Sequence, residues 1–199
     1  MTANKDLLIE IGTEELPPTA LQRLSDAITQ GIAAGLADAG LAFGDVHSFA
    51  SPRRLAVLIN RVPGAQPDRD IERKGPGLKA AFDADGNPTK AAEGFARSCG
   101  VTGAQLQQQQ TSKGSWLIFR ATEKGKTLQQ LIPGIVDQAL VKLPVPKRMR
   151  WGDSDAEFVR PVHWAVMLHG QDVITARVLG VVSSNKTRGH RFHANIDIP

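Results

Sequence analysis

Apolar side chains at Leu21, Leu24, Ile28, Ile32 and Leu36 recur at helical spacing directly behind Pro17-Pro18. Proline suits a first helical turn, so the pattern predicts a helix that closes near Gly40. Just upstream, Leu7 to Ile11 reads as a short β run ending at Gly12, and Thr13-Glu-Glu-Leu16 as a turn. Val46 to Phe49 and Arg54 to Val62 read as strands, with Leu55, Val57 and Ile59 on one face. Strand and helix periods mix without a regular βαβ rhythm and without an internal repeat. The class is therefore α+β: mixed, mainly antiparallel sheets with flanking helices.

Residues 63–77, rich in Pro, Gly and charge, read as an exposed loop, and Asp83-Ala-Asp-Gly-Asn-Pro88 as a turn. Thr89 is a candidate N-cap for a helix over Lys90 to Cys99, closed by Gly100. The Gln-rich tract from Gln105 to Gln110 reads as a solvated connection, which places a boundary between an N-terminal part, 1–104, and a second part, 111–199. Trp116 to Ala121 is a predicted strand. Thr127 can cap a helix through Leu128, Leu131, Ile135, Val136 and Leu140, with Pro133 restricting its start or first turn. Val162 to Leu168, Val173 to Leu179 and Val181-Val182 form an expected antiparallel meander, joined at His169-Gly170-Gln171-Asp172.

Apolar residues make up 41% of the 199 and charged residues 22%, which excludes a disordered chain. Cys99 is the one cysteine and sits in an apolar helix pattern, so disulfide frameworks and multi-cysteine zinc sites are excluded. There is neither a signal-peptide pattern nor an apolar run of the roughly 20 residues that spans a bilayer. A soluble, cytoplasmic protein without membrane attachment is expected. Ala194-Asn-Ile196-Asp-Ile198 looks like a strand that has only begun when the chain stops at Pro199, so the sequence reads as the front piece of something longer.

Charge is unevenly placed. Residues 142–193 hold nine Lys and Arg against four acids, a balance of +5; the whole chain is +4, so the rest carries −1. The segment also holds four of the five histidines, with Trp151, Trp164 and Phe192 among the basic residues. That combination is the footprint of a surface that faces a polyanion.

Several competing motifs fall away on spacing. Gly125-Lys126-Thr127 resembles the end of a phosphate-binding loop, yet Arg120 stands where its first glycine is needed. Asp83-Ala-Asp85-Gly86 has neither glycine nor glutamate in register for a calcium loop. His190 and His193 lack the further ligands zinc wants, so no metal site is assigned. Glu10, Glu14 and Glu15 read as acids complementing a helix dipole rather than as a general acid/base set. Cys99 has a core-like setting, and no nucleophile–base order stands out. No catalytic residue is assigned. The basic strings remain: Lys147, Arg148 and Arg150, stiffened by Pro144 and Pro146; Arg160 in Arg160-Pro-Val-His163-Trp164, with Trp164 expected in the core; and Lys186, Arg188, His190 and Arg191 around Gly189. With Arg53 and Arg54 they are the candidate contacts, because Arg forks onto phosphate and stacks on bases.

Taken in order, seven strings resemble the β subunit family of the bacterial heterotetrameric glycyl-tRNA synthetases. They are Leu7-Leu-Ile-Glu-Ile-Gly-Thr-Glu-Glu-Leu-Pro-Pro18, Ser51-Pro-Arg-Arg-Leu-Ala56, Lys74-Gly-Pro-Gly77, Gly94-Phe95, Met149-Arg-Trp-Gly152, Phe158-Val-Arg-Pro-Val-His-Trp164 and Asn185-Lys-Thr-Arg-Gly-His-Arg-Phe192. Ser51 departs from an expected Thr and Ser184 from an expected Gly. The resemblance implies a longer protein, whose HD-like and anticodon-binding domains would lie beyond this sequence. The resemblance implies that glycyl-adenylate is made from glycine and ATP, with Mg, on the α subunit, and that this chain binds no cofactor. It implies a heterotetramer of two α and two β subunits, and tRNA(Gly) as a partner. This chain would then support attachment of glycine to tRNA through tRNA binding and subunit assembly. Two alternatives stand beside that reading: a structural module docking the α subunit or later β domains, and a hydrolytic editing module using His163 or His190.

Overall fold

The computed structural model describes residues 4–83, 85–111, 114–145, 147–153, 155–194 and 196–199. Expectations resting on Ala84, Pro146 and Asn195 lie outside them. The elements, in chain order, begin with β1 (Lys5–Thr13), α1 (Pro18–Asp38), β2 (Val46–Ser51) and β3 (Arg54–Val62). Next come β4 (Arg69–Gly77), α2 (Leu78–Ala81), α3 (Lys90–Ser98), β5 (Gln107–Thr111), β6 (Gly114–Glu123) and α4 (Leu128–Val141). The chain then turns to strands, of which only β9 is long: β7 (Met149–Arg150), β8 (Glu157–Phe158), β9 (Val162–His169), β10 (Asp172–Val173), β11 (Arg177–Val178) and β12 (Val181–Val182). The hairpin of β13 (Thr187–Arg188) and β14 (Asp197–Ile198) follows. The class is α+β with antiparallel sheets, as the mixed periods imply.

Two compact units divide the chain: residues 1–67 with 126–199, and residues 68–125. In the first, β1 is the central strand of an antiparallel sheet ordered β10-β9-β1-β3-β2. Strand periodicity sorts its side chains. Leu7, Ile9 and Ile11 align with Ile59, Val57 and Leu55, and Ile9 and Ile11 with Met167 and Ala165. All of these are buried, in one cluster with Leu24, Ile28, Ile32 and Leu36 of α1 and Ile132, Val136, Ala139 and Leu140 of α4. Each large aliphatic side chain so buried contributes about 1.5–3 kcal/mol. The helices meet closely because Gly31 and Gly35 lack side chains; a Cβ there would lie 2.9 Å from Ala139 and 2.6 Å from Ile135.

The second unit is a β4-β6-β5 antiparallel sheet with a small core of Ala81, Ala92 and Leu117, flanked by Leu78, Phe82, Phe95 and Leu106. Its β4 overturns the loop expected over 63–77. The charges that suggested a loop lie on an exposed strand and pair across it: Arg120 with Glu72 at 2.7 Å, Thr122 with Asp70 at 2.8 Å, and Lys74 over the Trp116 ring at 3.9 Å. The Gln tract is likewise strand rather than connection, with Gln107–Thr111 laddered onto β6. The division therefore does not fall in that tract.

Smaller differences have local causes. Thr89 does not cap α3 with its hydroxyl, which donates to the Ala80 carbonyl instead. Cys99 is half-buried at the C-cap of α3. Pro133 lies inside α4 rather than at its start, and Gln130 accepts from the Thr127 N–H at the helix entry. The expected strand Val173 to Leu179 is broken because Ser183 takes over the backbone. Its hydroxyl donates to Ile174 and accepts from Ala176 N–H, and Leu179 and Gly180, both with positive φ, then form the tight turn between β11 and β12. Among the described residues no helix is long and apolar enough to cross a membrane.

Candidate nucleic-acid interface

Because side chains alternate along a strand, the face of the five-stranded sheet opposite the core carries a second set of rows. Glu10 lies between Ala56 and Val166, and Gly12 between Arg54 and Trp164. Trp164 is therefore not a core residue but half-buried on this face. Its ring lies flat over Gly12: a Cβ there would stand 1.9 Å from the indole. The indole N–H donates to Glu10 Oε1 at 2.7 Å, and the Thr187 hydroxyl donates to the same oxygen. Glu10 is 6% exposed, and Arg54 Nε lies 3.5 Å from its carboxylate. A further Arg54 N–H donates to the Arg188 carbonyl. Both guanidinium groups, of Arg54 and Arg188, lie 5.7 Å from the Trp164 ring centroid.

Next to this lies a second carboxylate hub. Glu14 Oε1 is 2.9 Å from His163 Nε2 and 3.5 Å from Arg53, and its other oxygen is 3.7 Å from Arg191. Burial works to raise the Glu14 pKa, but the hydrogen bond from His163 and the charges of Arg53, His163 and Arg191 outweigh it and hold the carboxyl below its ordinary range. Glu10 and Glu14 are thus arginine-organising groups, and α1 has no acid in its first turn for its dipole to use. Nothing in the sequence assigns them that role, since the partners lie mostly more than a hundred residues away along the chain and the β1–β9 register is what brings them together.

Beside these hubs lies a cleft of about 450 Å³ lined by Glu15, Ser51, Pro52, Arg53, Arg54, Trp164, Arg188, His190, Arg191, Phe192 and Ile198. Five of the ten sequence candidates, Arg53, Arg54, Arg188, His190 and Arg191, meet here. Arg160 lies beside it in a shallow groove with Glu14, Pro17 and Arg191, its Nε donating to the Glu15 carbonyl at 3.0 Å. The other four do not join. Arg148 is turned inward, donating to the last carbonyls of α4 at Leu140 and Val141, 3.0 and 2.6 Å. Arg150 pairs with Asp155 and Glu157 of its own hairpin region. Lys147 and Lys186 are exposed away from the cleft lining. The basic candidates therefore divide into a cleft set, two arginines engaged elsewhere in the fold, and two exposed lysines outside the cleft.

The comparisons with known proteins agree with the strings in the sequence. A family described as "Glycyl-tRNA synthetase beta subunit" matches residues 7–199. The chain belongs to that family. It is 58% identical over 191 residues to the glycine–tRNA ligase β subunit of Marinobacter nauticus, covering 96% of this chain and 28% of that protein. The corresponding subunit of Chromohalobacter salexigens is 58% identical over 192 residues, again 96% and 28%, and that of Pectobacterium atrosepticum 51% over 189 residues, 95% and 27%. The chain thus spans just over a quarter of the length of these relatives. These relatives are named as β subunits of a glycine–tRNA ligase.

Proposed function

We propose that this chain is the tRNA-facing front region of a glycine–tRNA ligase β subunit, working in a heterotetramer whose α subunit makes glycyl-adenylate from glycine and ATP with Mg. The observation that carries the reading is the gathering of Arg53, Arg54, Arg188, His190 and Arg191 around one cleft. Each of the four arginines also meets an acid, at 3.5 to 3.7 Å. A guanidinium has five N–H donors, so these contacts leave most of them for phosphate or base. The acids act as anchors that aim the arginines. They also keep the net charge of the cleft low, so affinity here rests on geometry as much as on charge.

The test is the salt dependence of tRNA(Gly) binding by the assembled α and β enzyme. Alanine at Arg188 and Arg191 is expected to lower affinity and to flatten the log–log salt slope by about one unit for each phosphate the variant no longer holds. Unchanged affinity and slope would remove the RNA assignment. A second reading, docking of the α subunit or of later β regions, is favoured by the exposed Phe192, Ile196 and Ile198 on the same hairpin. Loss of α co-purification on substituting these residues, with tRNA affinity of any assembled enzyme intact, would favour docking.

A further inference from the structure

The cleft is shaped for more than a phosphate backbone. Its floor and walls are apolar or aromatic: Trp164 flat on Gly12, Pro52, Ile198, and Phe192, which is 82% exposed although it is among the largest side chains in the chain. A phosphate needs donors and no apolar floor. A duplex cannot bring a base into a recess of this size, since its bases are stacked and paired. An unpaired nucleotide can, and proteins that read RNA take unstacked bases onto aromatic rings and guanidinium planes.

We infer that this cleft receives one unpaired RNA nucleotide of the bound tRNA, its base stacked against Phe192 and the Trp164–arginine layer, with adjacent phosphates on Arg188 and Arg191. The inference rests on the tRNA reading above and adds the class of RNA element that enters. Three features support it. The volume of about 450 Å³ lies in the range of small-ligand pockets, which admits a single nucleotide. Guanidinium groups already lie by the rings, with Arg191 5.7 Å from the Phe192 centroid and Arg54 and Arg188 5.7 Å from that of Trp164. Arg53, Arg54, Arg188 and Arg191 are countered by Glu10, Glu14 and Asp197, and Glu15 is in the lining. A site with matched charges discriminates by stacking and hydrogen bonding, and Glu15, the acid in the cleft lining, can accept from a ribose hydroxyl or a base amino group.

The experiment uses the assembled enzyme, with tRNA(Gly) and with a single-stranded RNA tetranucleotide carrying 2-aminopurine. Phe192→Ala removes an exposed ring that belongs to neither buried core. It is expected to weaken tRNA binding roughly fivefold to a hundredfold, the range of one base–aromatic stack, with the salt slope unchanged. The tetranucleotide is expected to lose fluorescence on binding and the same sequence in a blunt duplex is not; Phe192→Ala should abolish the loss. If Phe192→Ala leaves tRNA affinity unchanged while R188A and R191A flatten the slope, the nucleotide pocket is wrong and the tRNA reading stands. If none of the three variants moves tRNA affinity, both are wrong. Equal binding of duplex and single strand would also overturn the pocket.

Discussion

Trp164 and Glu10, 154 positions apart, are joined by a 2.7 Å hydrogen bond from the indole N–H to the carboxylate, beneath the cleft. The same carboxylate oxygen accepts from Thr187 and lies 3.5 Å from Arg54, so one buried acid ties β1, β3, β9 and the β13 hairpin together. Replacing it tests the tie. Glu10→Gln keeps an oxygen in place and is expected to cost on the order of 1 kcal/mol in urea unfolding. Glu10→Leu leaves the indole and hydroxyl without their acceptor and the Arg54 guanidinium without its counter-charge, and about 3 kcal/mol is expected. A Leu variant as stable as the parent would show that the acid contributes nothing to holding the hairpin.

Gly12 is required by close approach rather than by a special backbone angle, since any Cβ there occupies the space of the Trp164 ring. Gly12→Ala is expected to lift the ring off the sheet and to lower stability by about 1–3 kcal/mol, the range for overpacking. The displaced indole should also change the tryptophan emission maximum in the native state. Retention of both stability and emission would contradict the stacked geometry.

What the sequence discloses here follows from what is local. Ile9, Leu55, Val57 and the α1 stripe were legible because one face of a sheet and one side of a helix are buried, and burial writes a period into the chain. The charged strand β4 was not, because an exposed strand needs no apolar alternation and is held by cross-strand pairs such as Arg120 with Glu72. In the site, the arginines were visible as a cluster of type, but their division was not. Arg148 and Arg188 look alike in sequence, and only the position of the C-terminus of α4 turns the first inward. Glu10 and Glu14 gave no local signal, since nothing near them in the chain identifies His163, Trp164 or Arg191 as their partners.

Acid should open the second hub. Glu14 has a folded pKa below its ordinary value of 4.5, so it binds fewer protons folded than unfolded just below that pH. Its contribution is present in full above the ordinary value and is lost as pH falls through the folded one. Asp6, held low by the Arg61 backbone N–H and the Asn60 side chain, and Asp172, held low by Lys5, act with the same sign. Denaturant midpoints measured from neutral pH downward are expected to fall in this window, and Glu14→Gln should make that fall shallower. An identical acid limb in the variant would mean that the His163–Glu14–Arg191 contacts do not bear on folding.

Residues 68–125 leave and rejoin the first unit at a point that is already tied. Gln66 N–H donates to the Lys126 carbonyl at 2.9 Å, the Gln66 side chain accepts from Lys126 N–H at 3.1 Å, and its amide reaches the Ala39 carbonyl at 2.6 Å. Replacing 68–125 by a short Gly-Ser link should therefore leave the five-stranded sheet folded, because closing a shorter loop costs less entropy. One cooperative unfolding transition and retained Trp164 fluorescence are expected. Loss of cooperativity would show that the 68–125 unit is needed to fold the sheet.

Arg148 separates support from recognition most sharply. Its guanidinium sits on the last carbonyls of α4, where a positive charge also complements the helix dipole. Arg148→Ala is expected to lower stability by about 1 kcal/mol and to leave the salt slope of tRNA binding unchanged. Arg188→Ala should do the reverse, since it removes an exposed group at the cleft whose acid partner, Asp197, is itself exposed. Thermal melts and salt titrations on the two variants are sufficient. A flattened slope in the Arg148 variant, with stability untouched, would move that arginine from the helix end to the RNA surface.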